Sequence, residues 1–226
     1  MSSKIIALTF DDGPAPDTTL PILELLREYH AAASFFVLGK HITRKTVPIL
    51  QQADAQGCEI CSHSFSHSDM TQLSAEEIRA EITETAKRIT DAIGKPPRFF
   101  RPPYIAVKDE MFDVIPLPFI EGYGVRDFDD AVSTEARIEG VLQKAGDGRI
   151  ILLHDFTGNA QTVEALRALL PALKAEHYEF VTVSQLFTEK DIIPKPHNRI
   201  LYSFAEQTQM YAPDRSGPAK VPPADL

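Results

Sequence analysis

Ile5-Ile6-Ala7-Leu8-Thr9-Phe10-Asp11-Asp12-Gly13-Pro14 is an apolar run that feeds straight into two adjacent carboxylates and a Gly-Pro turn. Consecutive side chains on an extended strand point opposite ways. The strand ends here, however, and its tip can splay both acids into one pocket. Paired carboxylates divide labour well: one binds a metal while the other stays free as a base. The plainer alternative is a strand closing in a polar turn, because Asp-Gly-Pro is an ordinary turn sequence. The rest of the chain decides between them.

Outward from this stretch, short apolar strands alternate with amphipathic helices. Leu20, Ile22, Leu23, Leu25 and Leu26 make a helical face, and Ala33-Ser34-Phe35-Phe36-Val37-Leu38 reads as a buried strand. A helix carrying Val47, Ile49 and Leu50 precedes the strand Glu59-Ile60-Cys61-Ser62. Ser74-Ala75-Glu76-Glu77 is a capping box that opens a long helix with Ile78, Ile82, Ala86 and Ile89, closed by Gly94. Phe99-Phe100 and residues 118–123 read as strands, 134–145 as a helix, 149–153 as a strand, 162–175 as a helix and 178–182 as a strand, with a short turn at 184–187. This alternation predicts a parallel sheet covered by helices. About seven such units suggest a (β/α) barrel, with an open doubly wound sheet as the alternative. The expected arrangement is α/β, a single barrel domain over residues 1–193. An irregular Pro-rich tail over 194–226 follows, in which Ile200-Leu201-Tyr202 can pack on the barrel and order is poor beyond Ala212.

The 226 residues are 43% apolar, enough for a sizeable core, and carry a net charge of −9 with no long like-charge block. That balance argues against general nucleic-acid or anionic-membrane binding. No run approaches the length of a membrane-spanning helix. Met1-Ser2-Ser3-Lys4 enters a strand almost at once, so no leader is expected. The compartment stays open: secretion or the cell surface if a leader was removed, the cytoplasm otherwise. Cys58 and Cys61 have Cys-x-x-Cys spacing but no second pair for zinc and no helix N-terminus for redox work, so they read as small buried residues. No Gly-x-Gly-x-x-Gly loop, Walker loop, Gly-x-Ser-x-Gly elbow or His-Glu-x-x-His pair is present.

Every chemically capable residue lies just past the end of a predicted strand. Asp11 and Asp12 follow the first, His63 and His67 the third, Arg101 the fourth, Asp127 the fifth and His154 the sixth. In a parallel barrel those ends share one face, where barrel active sites form. Two His at i and i+4 can meet one metal, and one carboxylate completes a two-His, one-acid site of the kind found in zinc and non-haem iron enzymes.

Thr9-Phe10-Asp11-Asp12-Gly13-Pro14, His63-Ser64-Phe65-Ser66-His67, Arg101-Pro102-Pro103-Tyr104 and Leu152-Leu153-His154 resemble four of the five motifs of the NodB-homology polysaccharide deacetylases, carbohydrate esterase family four, in the family's order. The resemblance spans residues 4–187. It implies a distorted (β/α) barrel and a metal-dependent hydrolase that removes acetyl groups from sugars. It also implies Asp11 as general base and Asp12, His63 and His67 as ligands of one divalent ion, zinc foremost, with cobalt, nickel or manganese as alternatives. Arg101 would orient Asp11 and balance its charge. Tyr104 would lend its backbone N–H to the oxyanion hole, Leu152 would line the acetyl pocket, and His154 would be the general acid. The implied partner is an acetylated polysaccharide or oligosaccharide, met by a monomer.

The remaining family motif, often Asp-x-x-Asp-Trp, is replaced here by Gly124-Val125-Arg126-Asp127-Phe128. Asp127 matches the acid that tunes the catalytic His, with Asp129 and Asp130 as alternatives. Phe128 supplies an apolar wall in place of Trp, and Ile105 stands where the family often has Gly. The segment from Asp127 to Phe187 is more similar to the acetylxylan esterase branch. N-deacetylation of N-acetylglucosamine polymers is the alternative within the family. An inactive carbohydrate-binding protein, or an amide hydrolase for small cyclic substrates, is the alternative outside it.

Overall fold

The first strand, β1 (Lys4–Asp11), is buried along nearly its whole length, and its two faces meet different layers. Ile6, Leu8 and Phe10 join a large apolar cluster with the helices, whereas Ile5 and Ala7 join a second cluster with Phe36, Cys61 and Ile150. A strand covered on both faces needs a near-continuous apolar run, which the sequence supplies apart from Thr9, whose buried Oγ1 donates to the Ile151 carbonyl. The structure is a computed structural model and describes residues 4–212; the tail expected to be poorly ordered beyond Ala212 lies outside the described residues.

After β1 come α1 (Thr19–Glu28), β2 (Ser34–Val37), α2 (Val47–Ala55), β3 (Glu59–Ser62), α3 (Ala75–Ile93) and α4 (Asp109–Val114). The chain continues through β4 (Phe119–Ile120), β5 (Tyr123–Gly124), α5 (Thr134–Lys144), β6 (Arg149–His154), α6 (Ala160–Ala175), β7 (Tyr178–Phe180), α7 (Val183–Glu189) and β8 (Leu201–Tyr202). The main sheet runs β3-β2-β1-β6-β5 with β7 also on β1, and β4 pairs β8; every one of these strand pairs is parallel. Single bridges from Ser62 to Phe100 and from Phe100 to Phe119 link the two sheets on one side, and an antiparallel bridge from Arg149 to Phe204 links them on the other. The result is a distorted (β/α) barrel rather than an open sheet, with the strands' C-terminal ends on one rim.

The capping box is present as read: Ser74 Oγ accepts from the Glu77 N–H and the Glu77 carboxylate accepts from the Ser74 N–H. Where sequence and structure differ, the cause is local. Residues 118–123 form two short strands instead of one, broken at Gly122, whose φ of 89° turns the chain and whose missing side chain leaves room for Arg101. Phe99-Phe100 contributes isolated bridges at Phe100 instead of a strand. α4 has only six residues, too few for helical periodicity to show. α7 is a capped helix, not a turn. The packing expected of Ile200-Leu201-Tyr202 on the barrel is present, beyond the expected domain end at residue 193: β8 pairs with β4, the Ser203 carbonyl accepts from the Ile150 N–H, and Tyr202 and Ala205 sit in the inner cluster. No helix among the described residues is long and apolar enough to cross a membrane. Cys58 and Cys61 are free and buried, and burial pushes the Cys58 thiol up to about 11.

Candidate active site

The strand register brings the catalytic candidates together before any side chain is considered. Asp11 on β1 is the direct neighbour of His154 on β6 and of Phe36 on β2. Alternation places Asp11 on the same inward face as Ile5 and Ala7. Asp12 would then face outward, but its φ of 76° reverses the alternation and swings its carboxylate back to the rim. Both acids thus reach one place.

Asp12 Oδ1 lies 3.5 Å from His63 Nε2 and 3.3 Å from His67 Nε2. The three side chains are grouped so that one ligand atom from each lies within 4.8 Å of the others. Four-coordinate zinc, with bonds of about 2.1 Å, separates neighbouring ligand atoms by roughly 3.4 Å. His63 Nδ1 donates to the Arg101 carbonyl at 2.8 Å, so Nε2 of the neutral ring is a bare acceptor. Asp12 Oδ1 is buried and accepts no hydrogen bond. Burial pushes the His67 imidazolium down to about 4 against the pull of Asp12, which favours the neutral, ligating form. Acceptors gathered without donors repel one another, and a divalent cation is the group they fit.

The His63–His67 loop is held from outside. Ser64 and His67 have φ values of 70° and 66°, a conformation that costs on the order of 1 kcal/mol per non-glycine residue. The Glu81 carboxylate, on α3, accepts from the Phe65 N–H at 2.7 Å, the Ser66 N–H at 2.8 Å and Ser66 Oγ at 2.7 Å. Ser64 Oγ accepts from the His67 N–H, and the Gly39 N–H donates to the Ser64 carbonyl. On the other side, Asp155 Oδ1 accepts from the Gly13 N–H at 3.0 Å and its Oδ2 from Thr19 Oγ1 at 2.5 Å, fixing the turn after Asp12. Burial pushes the Asp155 carboxyl up to about 7 in spite of those two donors.

Asp11 is itself free of the cluster. Arg101 Nη1 donates to its Oδ1 at 2.5 Å, with both side chains essentially sealed from solvent, while Oδ2 points to within 3.7 Å of His63 Nε2. Arg101 also lies over the Phe36 ring at 4.1 Å. Opposite, His154 Nδ1 donates to Asp127 Oδ1 at 2.8 Å, and the His154 N–H donates to Asp127 Oδ2 at 2.8 Å. Burial disfavours the imidazolium, but the charge of Asp127 and its hydrogen bond outweigh this and push His154 up to about 9. Asp127 is completely buried. Asp129 instead pairs with Arg126 at 2.8 Å on the surface, and Asp130 is exposed, so the acid beside His154 is Asp127.

Tyr104 packs its ring on His67 at 4.5 Å and Phe128 packs edge-on to His154 at 5.4 Å; they are 63% and 51% exposed, two aromatic rims on either side of the cluster. Tyr104 and Ile105 both have positive φ, so Ile105 keeps the backbone shape that glycine adopts freely. Leu152 is buried two residues before His154 on the same strand face, next to Gly122. Sequence reasoning missed Glu81, Asp155, Arg137, Asn159 and Thr162. The available signal for Arg137 was a charge on the buried stripe of α5, four residues before Val141.

A family model described as polysaccharide deacetylase matches residues 1–116. The chain belongs to the polysaccharide deacetylase family. It is 45% identical over 199 residues to a bifunctional xylanase/deacetylase of Pseudobutyrivibrio xylanivorans, covering 88% of this chain and 33% of that protein. It is 36% identical over 198 residues to the peptidoglycan-N-acetylglucosamine deacetylase PgdA of Listeria monocytogenes, covering 87% of this chain and 41% of that one. The chain therefore spans well under half the length of these two relatives. A family 4 acetyl xylan esterase from Clostridium thermocellum, solved with a cobalt ion, superposes with a TM-score of 0.88 at 36% identity, covering 90% of this chain and all of that one.

Proposed function

We propose that this deacetylase-family chain is a metal-dependent esterase that removes O-acetyl groups from xylan. The observation that carries the reading is the single rim on which the Asp12–His63–His67 acceptors lie beside an ion-paired Asp11 and a His154 whose Nδ1 donates to buried Asp127. Asp12, His63 and His67 would hold one divalent ion, zinc before cobalt, nickel or manganese. Once bound, the ion polarises the acetyl carbonyl and acidifies water.

Asp11 Oδ2 takes the proton of the attacking water as its oxygen adds to the carbonyl carbon. Arg101 balances the charge of Asp11 and fixes its orientation. The Tyr104 N–H donates to the oxygen that becomes anionic. His154 enters protonated and passes that proton from Nε2 to the departing sugar oxygen as the bond to the acetyl carbon breaks. Asp127 holds the opposite nitrogen as N–H throughout. Leu152 and Phe128 offer an apolar wall to the acetyl methyl, and the exposed ring of Tyr104 offers a stacking face to a sugar.

The xylan assignment is supported by the Pseudobutyrivibrio and Clostridium relatives. It gains nothing from the altered fourth motif: with both Asp127 oxygens engaged, His154 is held well enough to protonate an amide nitrogen too. The alternative substrate is an N-acetylglucosamine polymer, favoured by the similarity to PgdA. The deciding experiment measures acetate released from acetylated xylan and from a chitin oligomer by zinc- or cobalt-loaded protein, with and without a chelator. Release from xylan, lost on chelation, is expected. Release from the amino sugar alone replaces the substrate, and release from neither leaves an inactive carbohydrate-binding protein.

A further inference from the structure

Arg137 lies on α5, outside every motif, and is 1% exposed. A guanidinium has only donors, and burying one without a carboxylate is costly. Among the described residues no carboxylate pairs with it. It donates instead to four neutral oxygens: Nε to the Val132 carbonyl at 2.9 Å, Nη2 to the Asp129 carbonyl at 3.2 Å, and Nη1 to Asn159 Oδ1 at 2.6 Å and Thr162 Oγ1 at 3.0 Å.

The last two bonds lead to His154. Because Thr162 Oγ1 accepts from Arg137, its one proton is free to go elsewhere, and it goes to Asp127 Oδ2 at 2.8 Å. Because Asn159 Oδ1 also accepts from Arg137, its amide is turned so that Nδ2 donates to the His154 carbonyl at 3.0 Å. Arg137 therefore sets the sense of two branches that converge on one residue. One reaches the His154 ring and N–H through Asp127, and the other reaches its carbonyl. With Thr162 and the His154 N–H both donating to Oδ2, Asp127 is held so that Oδ1 faces Nδ1. The ring then carries its proton on Nδ1 and presents Nε2 to the site.

We propose that Arg137 is a positioning residue for the Asp127–His154 pair, acting through Thr162 and Asn159. This rests on His154 being the acid of the proposed deacetylation. The competing view is that Arg137 only ties residues 129–132 to α6.

Thr162→Val separates the two. It cuts the branch to Asp127 while leaving the Arg137 bonds to Asn159 and both loop carbonyls. Two substrates are compared: acetylated xylan, whose sugar oxygen needs a proton to leave, and 4-nitrophenyl acetate, whose phenolate leaves without one. Turnover of xylan falls about tenfold with KM unchanged, the loss on the aryl ester is at least five times smaller, and Thr162→Ser restores the xylan rate. In metal-free protein, the low-field proton resonance of His154 Nδ1–H shifts or broadens in Thr162→Val and returns in Thr162→Ser. Arg137→Met gives the same selective loss and Arg137→Lys a smaller one. Equal losses on the two esters, or an Nδ1–H resonance unmoved by Thr162→Val, overturn the proposal. If the wild type cleaves neither ester, the deacetylase reading fails, while the metal-free resonance still decides whether Thr162 positions the pair.

Discussion

Asp11 and His154 are neighbours in register on β1 and β6, yet they are held by different means. Asp11 ends an eight-residue strand with partners on both sides, and one direct ion pair to Arg101 completes its support. His154 ends β6, whose outer neighbour β5 has only two residues. There the ladder gives out, and a side-chain network from Asp127 through Thr162 and Asn159 to Arg137 replaces it. A backbone-held residue is sensitive mainly to its own substitution. A network-held residue is also sensitive to substitutions that never touch the substrate.

The base flank gives the largest expected effect. Asp11→Asn keeps the shape and an acceptor for Arg101 but cannot take a proton, so kcat falls on the order of a thousandfold while bound zinc, counted by atomic absorption, stays at one per chain. His63→Ala is expected to lose the metal as well, by the same count. Retained turnover in Asp11→Asn would transfer the base role to another group.

Next comes the acid flank, through its pH dependence. His154 titrates at about 9 when folded, against an ordinary value of 6.5. Its folded value is raised, so the contribution to stability of the metal-free protein is complete below pH 6.5, shrinks as pH rises, and is lost once pH passes about 9. Urea unfolding at several pH values should show that decline in the wild type. In Asp127→Asn it should flatten, with xylan turnover falling about a hundredfold. An unchanged stability profile in Asp127→Asn breaks the contrast between the flanks, because His154 would then owe nothing to the network.

The metal side sits between these cases. Glu81 holds a strained loop from α3, so Glu81→Ala should weaken zinc binding about 10- to 100-fold, read by competition with a chromogenic chelator, at unchanged helical content. Equal affinity would show that the loop is held without Glu81, by the Gly39 N–H on the Ser64 carbonyl, the Lys40 N–H and Nζ on the Phe65 and Ser66 carbonyls, and the His67 N–H on Ser64 Oγ.

What was legible follows the same divide. β1 and β6 are largely apolar runs ending in an acidic or an imidazole side chain, so the strands and their tips could be read together. The His63–His67 pair is equally local. Glu81 lies 16 residues from Phe65, and Thr162 lies 35 from Asp127; both are polar residues inside helices, where a solvated face is the ordinary reading. β4, β5 and β8 have two residues each, too short for a period of two to register, and their pairing depends on ring closure. Asp127, Asp129 and Asp130 could not be separated by spacing, because one residue's difference in a loop does not reveal which acid the chain turns inward.

That ambiguity yields the smallest predicted effect. Asp129 Oδ2 pairs with exposed Arg126 and its Oδ1 accepts from the Ala131 N–H, so its side chain serves the surface turn. Only its backbone carbonyl reaches the buried network, through Arg137 Nη2. Asp129→Asn retains that carbonyl and an acceptor for the turn, and it removes an ion pair worth at most about 1 kcal/mol. Asp130→Asn alters an exposed carboxylate. Each should change kcat on acetylated xylan less than about twofold and leave the decline of stability with rising pH in place. A loss in Asp129→Asn comparable to that in Asp127→Asn would mean that the loop rearranges in solution and that the acid beside His154 is not fixed by the network at all.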